Sequence, residues 1–521
     1  MSSSSERVLP AHRARNLAAR PLHNAAETHR LEALCNSQPG AESLMQKAGM
    51  AVAQLALAVA PHAQVFWIAC GPGNNGGDGF AAAGWLKRWG KTPVISYLTP
   101  ASAPPDAVTA RSLAQSLDIE IRADIPARWD ACIDSLFGIG SLRPFSPAHS
   151  AWIRAMNACG APRIAVDLPS GLNGDTGAAS DLHVKADFTL SLLSLKPGLF
   201  TGQGRDAAGE IWFNALGNTI AVPALAHLIG AAPPETRAHS SHKGNFGDVV
   251  IVGGAPAMAG AAILAGSAAL HGGAGRVYVS LLDGSVSNTN VGLPELMFKP
   301  WNELDLSAMT VVAGCGGGEA IAQHLEHLIR GAAKLVIDAD GLNHLANNPA
   351  FTKLVAMRTP QTTVLTPHPL EAARMLGIST SDVQSDRIRS AQKLADEYRA
   401  TVVLKGSGSV VAAYGQVPWI NPTGNGQLAT AGTGDVLAGL IGANFANGKT
   451  ALDAASESVY RHGHIADTWN AVRPAGLPHS HWPERCDRSP TAHPSQCMST
   501  PFLGRFLGGR LLLVRSLRCP R

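Results

Sequence analysis

The chain has 521 residues, of which 45% are hydrophobic and 15% charged, with a formal net charge of +4. That length exceeds one ordinary core and implies two domains of roughly 200 residues each. The composition excludes a disordered chain, and the small charge, with no interleaved basic and aromatic residues, argues against nucleic acid as a partner.

Residues 1–20, "MSSSSERVLPAHRARNLAAR", lack the apolar stretch of a signal peptide. Their Ser and Arg content is a weak transit-peptide signal and better fits a disordered tail. No apolar run reaches the roughly 18 residues of a membrane span. "PAMAGAAILAGSAALHGGAG" comes nearest and reads as a buried helix. Eight cysteines, at 35, 70, 132, 159, 315, 486, 497 and 519, show no CxxC spacing. They point to reduced core thiols and a cytoplasmic protein rather than a disulfide or metal framework. "HGH", His462 and His464, reads as surface or capping histidine.

From Pro21 onward the pattern is helical, with apolar residues three and four apart in "AESLMQKAGMAVAQLALAVA". Short β-rich runs follow, "QVFWIAC", "TPVISYL", "ACIDSLFGIG" and "PRIAVDLPSG". Alternating strands and helices imply a parallel sheet covered on both faces, with ligands outside the carboxyl ends of the strands. The first domain is therefore expected over 21–221. A Pro-, Ala-, His- and Ser-containing linker is expected over 222–239. A second, unrelated α/β domain is expected over 240–474, built on "DVVIVGG", "RVYVSLL", "MTVVAGCGGG", "KLVIDADG", "TTVLTPHP" and "TVVLKGSG". Residues 475–521 lose this periodicity and read as an aberrant or disordered extension.

"GPGNNGGDG" satisfies GxGxxG through Gly71, Gly73 and Gly76. The acid expected about 20 residues on, at the end of the next strand, is missing, and Asp78 would crowd a pyrophosphate, so a dinucleotide fingerprint is disfavoured. Asp134, Asp167 and Ser170 follow buried strands; each acid could equally cap the turn after it. Asn75, Asp134 and Ser170 together offer amide, carboxylate and hydroxyl oxygens, a set suited to a hard alkali or alkaline-earth cation.

"ATAGTGDVLAGLIGA" places a carboxylate, Asp435, at the start of a helix behind small residues. Free backbone N–H groups and the helix dipole make such a start an anion hole. A carboxylate there reads as a base that deprotonates a hydroxyl as a phosphoryl group arrives, for roughly 10²–10⁴-fold in rate. The alternative is an acid that merely stabilises the first helical turn. No GxxxxGK[ST] occurs, so a P-loop is excluded.

"CGPGNNGGDGF", "DSLFGIGSLRPF", "VDLPSGLNGDTG" and "LSLKPGLFTGQGRD", with the leading helix "LMQKAGMAVAQLA", resemble in order the NAD(P)H-hydrate epimerase domain over about 22–217. The resemblance implies a Rossmann-like three-layer fold. Hydrated NAD(P)H would contact Asn74, Asn75, Gly76, Gly77 and Asp78, and then Gly138, Ile139, Gly140, Ser141, Leu142 and Arg143. It implies Asp167 as the acidic residue of the catalytic site, acting as acid, base or anchor, and K+ on Asn75, Asp134 and Ser170.

"HKGNFGDVVIVGGAPAMAGAAILAGSAALHGGAGRVYVS", "PELM", "VIDADGLNHLA", "LTPHPLEAARMLG", "VVLKGSGSVVA" and "NPTGNGQLATAGTGDVLAG" resemble the NAD(P)H-hydrate dehydratase domain, a ribokinase-like fold, over about 240–470. The resemblance implies ADP as phosphoryl donor, with Mg2+, on Lys405, Gly406, Ser407, Gly408, Ser409 and Gly434. It places Gly316, His368 and the catalytic Asp435 against the hydrated substrate. Three loops depart from the family pattern: "GCGGG" for GPGLG, "TPHPLE" for TPHPGE and "TGNGQ" for TGNPG. Leu370 and Gln427 thus replace glycines expected to serve a special backbone angle or a close approach.

The expected activity is therefore interconversion of the two epimers of hydrated NAD(P)H in the first domain and ADP-driven dehydration of the S form in the second. Two other classes stand beside it: a ribokinase-like kinase of a small hydroxylated vitamin or sugar, and a first domain kept only for binding. Small molecules are the expected partners, with neither nucleic acid nor membrane, and a homo-oligomer is compatible with the sequence.

Overall fold

The computed structural model describes residues 12–13, 19–38, 42–140, 144–232, 236–284 and 292–469. The extension expected over 475–521 lies outside the described residues. The strands form two sheets.

In the first sheet the central strand Val65–Cys70 lies between Thr92–Tyr97 and Ala131–Ser135, all parallel. The chain runs from Val65–Cys70 outward to Glu120–Arg122, then returns to the other side and continues through Arg163–Val166, Phe188–Leu192 and Glu210–Asn214. The order thus reverses between Val65–Cys70 and Ala131–Ser135. Strand ends diverge at such a point and leave a crevice. Leu44–Val59 and Asn74–Arg88 pack together through small residues; a side chain on Gly49 would overlap Ala81.

The second sheet repeats this logic with different strands. Asp248–Gly253 pairs in parallel with Arg276–Leu281 on one side and Thr310–Ala313 on the other. Lys334–Ile337, Thr363–Leu365 and Thr401–Leu404 continue in parallel. Val410–Ala413 and Trp419–Ile420 then follow in antiparallel pairing. The central strands are buried, Val- and Ile-rich runs, as a sheet covered on both faces requires. Ala259–His271, within the stretch expected as a buried helix, is one. Among the described residues no helix is long and apolar enough to cross a membrane.

Three expectations change. Ala226–Leu228, inside the expected linker, is a strand parallel to Trp419–Ile420, and Arg20–Leu22 pairs with it. His12–Arg13, inside the expected disordered tail, pairs with Phe213 and Trp212 at the edge of the first sheet. Both segments satisfy edge N–H and C=O groups that would otherwise be bare. Finally, one apolar cluster joins Leu168, Leu195, Leu199 and Phe200 of the first half to Leu365, Leu404 and Val410 of the second. The two units thus share buried surface.

Candidate functional site

Two cavities lie at the carboxyl ends of the two sheets, one in each unit. In the first, the loop after Val65–Cys70 meets the loop after Ala131–Ser135 so closely that a side chain on Gly71 would overlap the Leu136 carbonyl oxygen. Helix Asn74–Arg88 starts there and presents Asn74, Asn75 and Asp78 to a cavity of about 620 Å³. Gly138, Ile139, Gly140 and Asp167 line it too. Gly76 and Gly77 do not; they are buried, and side chains there would overlap Gly71 and Met45. They let the helix approach rather than touch a ligand. Ser141, Leu142 and Arg143 lie outside the described residues.

Asp167 has φ +66°, a left-handed conformation that a non-glycine residue seldom holds and that recurs at active sites. Its carboxylate receives Lys196 Nζ and, at 3.1 Å, the Leu192 N–H. The Lys196 side chain is 1% exposed and also donates to the Leu192 carbonyl at 2.8 Å. Asp78 lines the same cavity. Its carboxyl is held well above the usual carboxylate range by desolvation first and by the Asp167 charge second. An acid whose carboxyl burial pushes up thus lines the same cavity as an acid paired with a lysine. Lys196 lies in "LSLKPG", quoted above without a role. A lone lysine in the apolar stretch that follows the buried strand Phe188–Leu192 was the available signal.

Asp134 is 1% exposed and has no basic partner among its hydrogen bonds. It accepts from Ser170 Oγ at 2.6 Å, Ser170 N at 2.7 Å and Leu136 N at 3.2 Å. Burial pushes its pKa up to about 6. The Phe137 carbonyl lies 3.4 Å from Ser170 Oγ, and buried Asn75 Nδ2 has no partner. A buried carboxylate without a counter-charge, amid hydroxyl, carbonyl and amide groups, fits a monovalent cation.

In the second unit three adjacent strand ends converge on one carboxylate. Asp338 follows Lys334–Ile337 and accepts from Thr366 Oγ1 at 2.7 Å and Lys405 Nζ at 2.6 Å. Glu371 lies 4.0 Å from the same ammonium. Burial opposes the Lys405 charge, but Asp338 and Glu371 outweigh it and raise the lysine pKa. Burial also raises Glu371 to about 7.

Helix Thr433–Ala446 begins beside this cluster, after Gly432 at φ +89°. A side chain on Gly434 would lie 3.5 Å from Lys405 Nζ and 3.8 Å from Asp338 Oδ2. Gly434 also lines a cavity of about 520 Å³ with Lys405, Gly406, Ser407, Ser409 and Thr433. Asp435, the next residue, stands with Cys315 and Asp338, their ligand atoms within 4.8 Å of one another. Burial, and then the Asp338 charge, push the Asp435 pKa up to about 7.

The other expected residues fall less simply. Gly316 has φ +59° and packs on Met258 and Ala261 beside this acid cluster. His368 is tied locally: its Nδ1 accepts from the N–H groups of Leu370 and Glu371 and caps helix Pro369–Leu376. Gly408 is not on the cavity wall; its φ of +63° lets the loop pass the Phe200 carbonyl. Leu370 is an ordinary, 45% exposed helical residue, and neither it nor Gln427 has positive φ. Their replacement of glycine thus imposes no backbone strain. His462 corrects the expected surface pair: it is 7% exposed, faces the Thr433 backbone and lines the 520 Å³ cavity.

Comparison with known proteins agrees with this division. The family described as NAD(P)H-hydrate dehydratase matches residues 249–482, and the YjeF-related protein N-terminus matches 41–198. The chain is 35% identical over 453 residues to the bifunctional NAD(P)H-hydrate repair enzyme Nnr of Escherichia coli (strain K12). That match covers 81% of this chain and 84% of that protein. The Vibrio cholerae protein of the same name is 35% identical over 449 residues, covering 81% and 88%. Among solved structures, the ADP/ATP-dependent NAD(P)H-hydrate dehydratase of Bacillus subtilis, co-crystallised with ATP and Mg2+, is 28% identical. It covers 48% of this chain and 91% of its own, with a TM-score of 0.41.

Proposed function

The chain belongs to the family of bifunctional NAD(P)H-hydrate repair enzymes, and we propose how its two cavities divide the work. Residues 21–221 epimerise the R and S forms of hydrated NAD(P)H, and residues 240–474 dehydrate the S form at the expense of ADP. The products are NAD(P)H, AMP and phosphate.

The observation that carries this reading is Asp435, with its pKa raised to about 7, one residue beyond Gly434 and next to Lys405. A hydroxyl on the hydrated ring is a poor leaving group. Asp435 takes its proton while Lys405 and the helix start receive the phosphates of the donor. The hydroxyl becomes a phosphate ester; the C–O bond then breaks as phosphate leaves, the neighbouring ring carbon gives its proton to the departing phosphate or to solvent, and the ring double bond re-forms. The substrate stands on the Asp435 side of Gly434, beside Gly316 and His368, and the nucleotide on the Lys405 side. Mg2+ accompanies the nucleotide phosphates. ADP is preferred to ATP as donor.

In the first cavity, inverting one carbon requires a bond to it to break and re-form, with a proton supplied and removed. Asp78, whose carboxyl burial pushes up, and the Asp167–Lys196 pair are the groups available. Asn75, Asp134 and Ser170 would hold K+, which would supply the counter-charge that Asp134 lacks. The free state of the described cysteines supports a cytoplasmic location.

The test is incubation of the full chain with mixed-epimer hydrate and ADP while following dihydronicotinamide absorbance. Complete recovery is expected, and Asp435→Asn abolishes it while epimer exchange persists. Accumulation of a phosphorylated product without NAD(P)H would instead establish a kinase.

A further inference from the structure

We propose that the nucleotide site of the second unit is completed by the first, with Arg205 as its positioning residue; this rests on the ADP reading above. Arg205 belongs to the short helix Gly204–Ala207 of the first unit, yet it lines the 520 Å³ cavity together with Asp206. Its Nη2 donates to the Pro422 carbonyl at 3.2 Å and the Gly424 carbonyl at 2.6 Å, and its Nη1 to the Thr423 carbonyl at 3.3 Å. One guanidinium thus gathers three successive carbonyls through two nitrogens, a span that a planar fork covers and the single nitrogen of a lysine does not match.

Thr423 and Gly424, which carry two of these carbonyls, line the cavity together with Lys405 and Gly434. The second unit holds the same loop through Asp467, which accepts from the Gly424 N–H at 2.9 Å, through Thr423 Oγ1, which donates to the Tyr460 carbonyl at 2.8 Å, and through Asn421 Nδ2, which donates to the Thr423 carbonyl at 3.3 Å. Without Arg205, the Pro422 and Gly424 carbonyls would lose the side-chain donor they have here.

The floor of the cavity is tied across the same seam. Gly202 N–H donates to the Ser407 carbonyl at 3.0 Å, and Ser407 Oγ donates back to the Gly202 carbonyl at 2.9 Å. Thr201 Oγ1 donates to the Gly408 carbonyl at 3.1 Å and accepts from buried Arg387 Nε at 3.0 Å. The exposed Asp206 carboxylate fixes the direction of the ligand. It would repel phosphate, so the Arg205 end takes the nucleoside, whose hydroxyls and amino group are donors. Lys405 and the helix start take the phosphates.

In the full chain, Arg205→Ala is expected to raise the KM for ADP about tenfold, with kcat at saturating ADP within about twofold. Calorimetric binding of AMP weakens by the same factor, whereas competition by inorganic pyrophosphate is unchanged. Arg205→Lys, measured alongside, raises the KM at least about threefold and keeps the result readable if the alanine variant fails to fold. ADP affinity within twofold of wild type in the soluble variants overturns the proposal, as does a loss confined to kcat. Absence of ADP binding by the wild type would instead reject the nucleotide reading itself.

Discussion

Lys405 Nζ donates to Asp338 Oδ1 at 2.6 Å, linking residues 67 apart in sequence across the ends of alternate strands. The strand between them contributes Thr366, which donates to the same Asp338 oxygen at 2.7 Å. The lysine charge is thereby fixed beside Gly434, one residue from the proposed base.

The pH dependence of dehydration follows from that base. Asp435 must be ionised to accept a proton, and its pKa in the free protein is about 7. The kcat/KM for dehydration is expected to fall about tenfold per pH unit below 7 and to level off above it. Initial rates of NADH recovery between pH 5.5 and 8.5 check this. A profile flat through that range would remove Asp435 from the proton transfer.

Potassium should matter to stability as well as rate. The Asp134 pKa is raised from 3.8 to about 6, so its contribution to stability is full below pH 3.8 and lost as pH rises through 6. The loss amounts to about 3 kcal/mol at neutral pH. A cation on Asp134 offsets it. Thermal unfolding at pH 7.5 is therefore expected at higher temperature in KCl than in choline chloride, with the two curves merging near pH 4. Epimer exchange slows in choline. Equal midpoints at pH 7.5 would leave Asn75, Asp134 and Ser170 without a metal role.

Lys196→Met strips Asp167 of its buried partner. Breaking such a pair costs about 3–5 kcal/mol, because the remaining carboxylate is left uncompensated. Epimer exchange is expected to disappear, while dehydration of pure S epimer continues at temperatures where the variant stays folded. Denaturant unfolding and an epimer-resolved chromatographic assay provide both readings. Retained exchange would show the lysine to be purely structural.

Gly408→Ala tests the seam directly. The residue has φ +63°, and an added side chain would overlap the Phe200 carbonyl oxygen of the other unit. About 1–3 kcal/mol of destabilisation is expected from the backbone angle alone. The displaced loop should also raise the KM for ADP. Gly415→Ala, with φ +70° but open space around it, is the control. Equal effects at the two positions would mean that backbone strain, not the inter-unit contact, dominates.

The sequence alone determined the α/β class and the position of each motif at a strand end, because strand period, glycine loops and helix starts are local features. It also singled out Asp435 and Asp167, since each stands where a buried strand or a small-residue loop gives way to a turn or a helix start. Tertiary structure alone decided the partners. Lys196 meets Asp167 only because the loop after Phe188–Leu192 folds back beside the end of Arg163–Val166. Asp338, Thr366 and Lys405 meet only because their strands are neighbours in one sheet. His462 and Arg205 reach the 520 Å³ cavity from a distant helix and from the other unit. Parallel sheets bring together residues separated by whole crossovers. The side-chain pairings, the pKa shifts and the seam between units therefore depend on which strands become neighbours, a choice that no local pattern in the chain encodes.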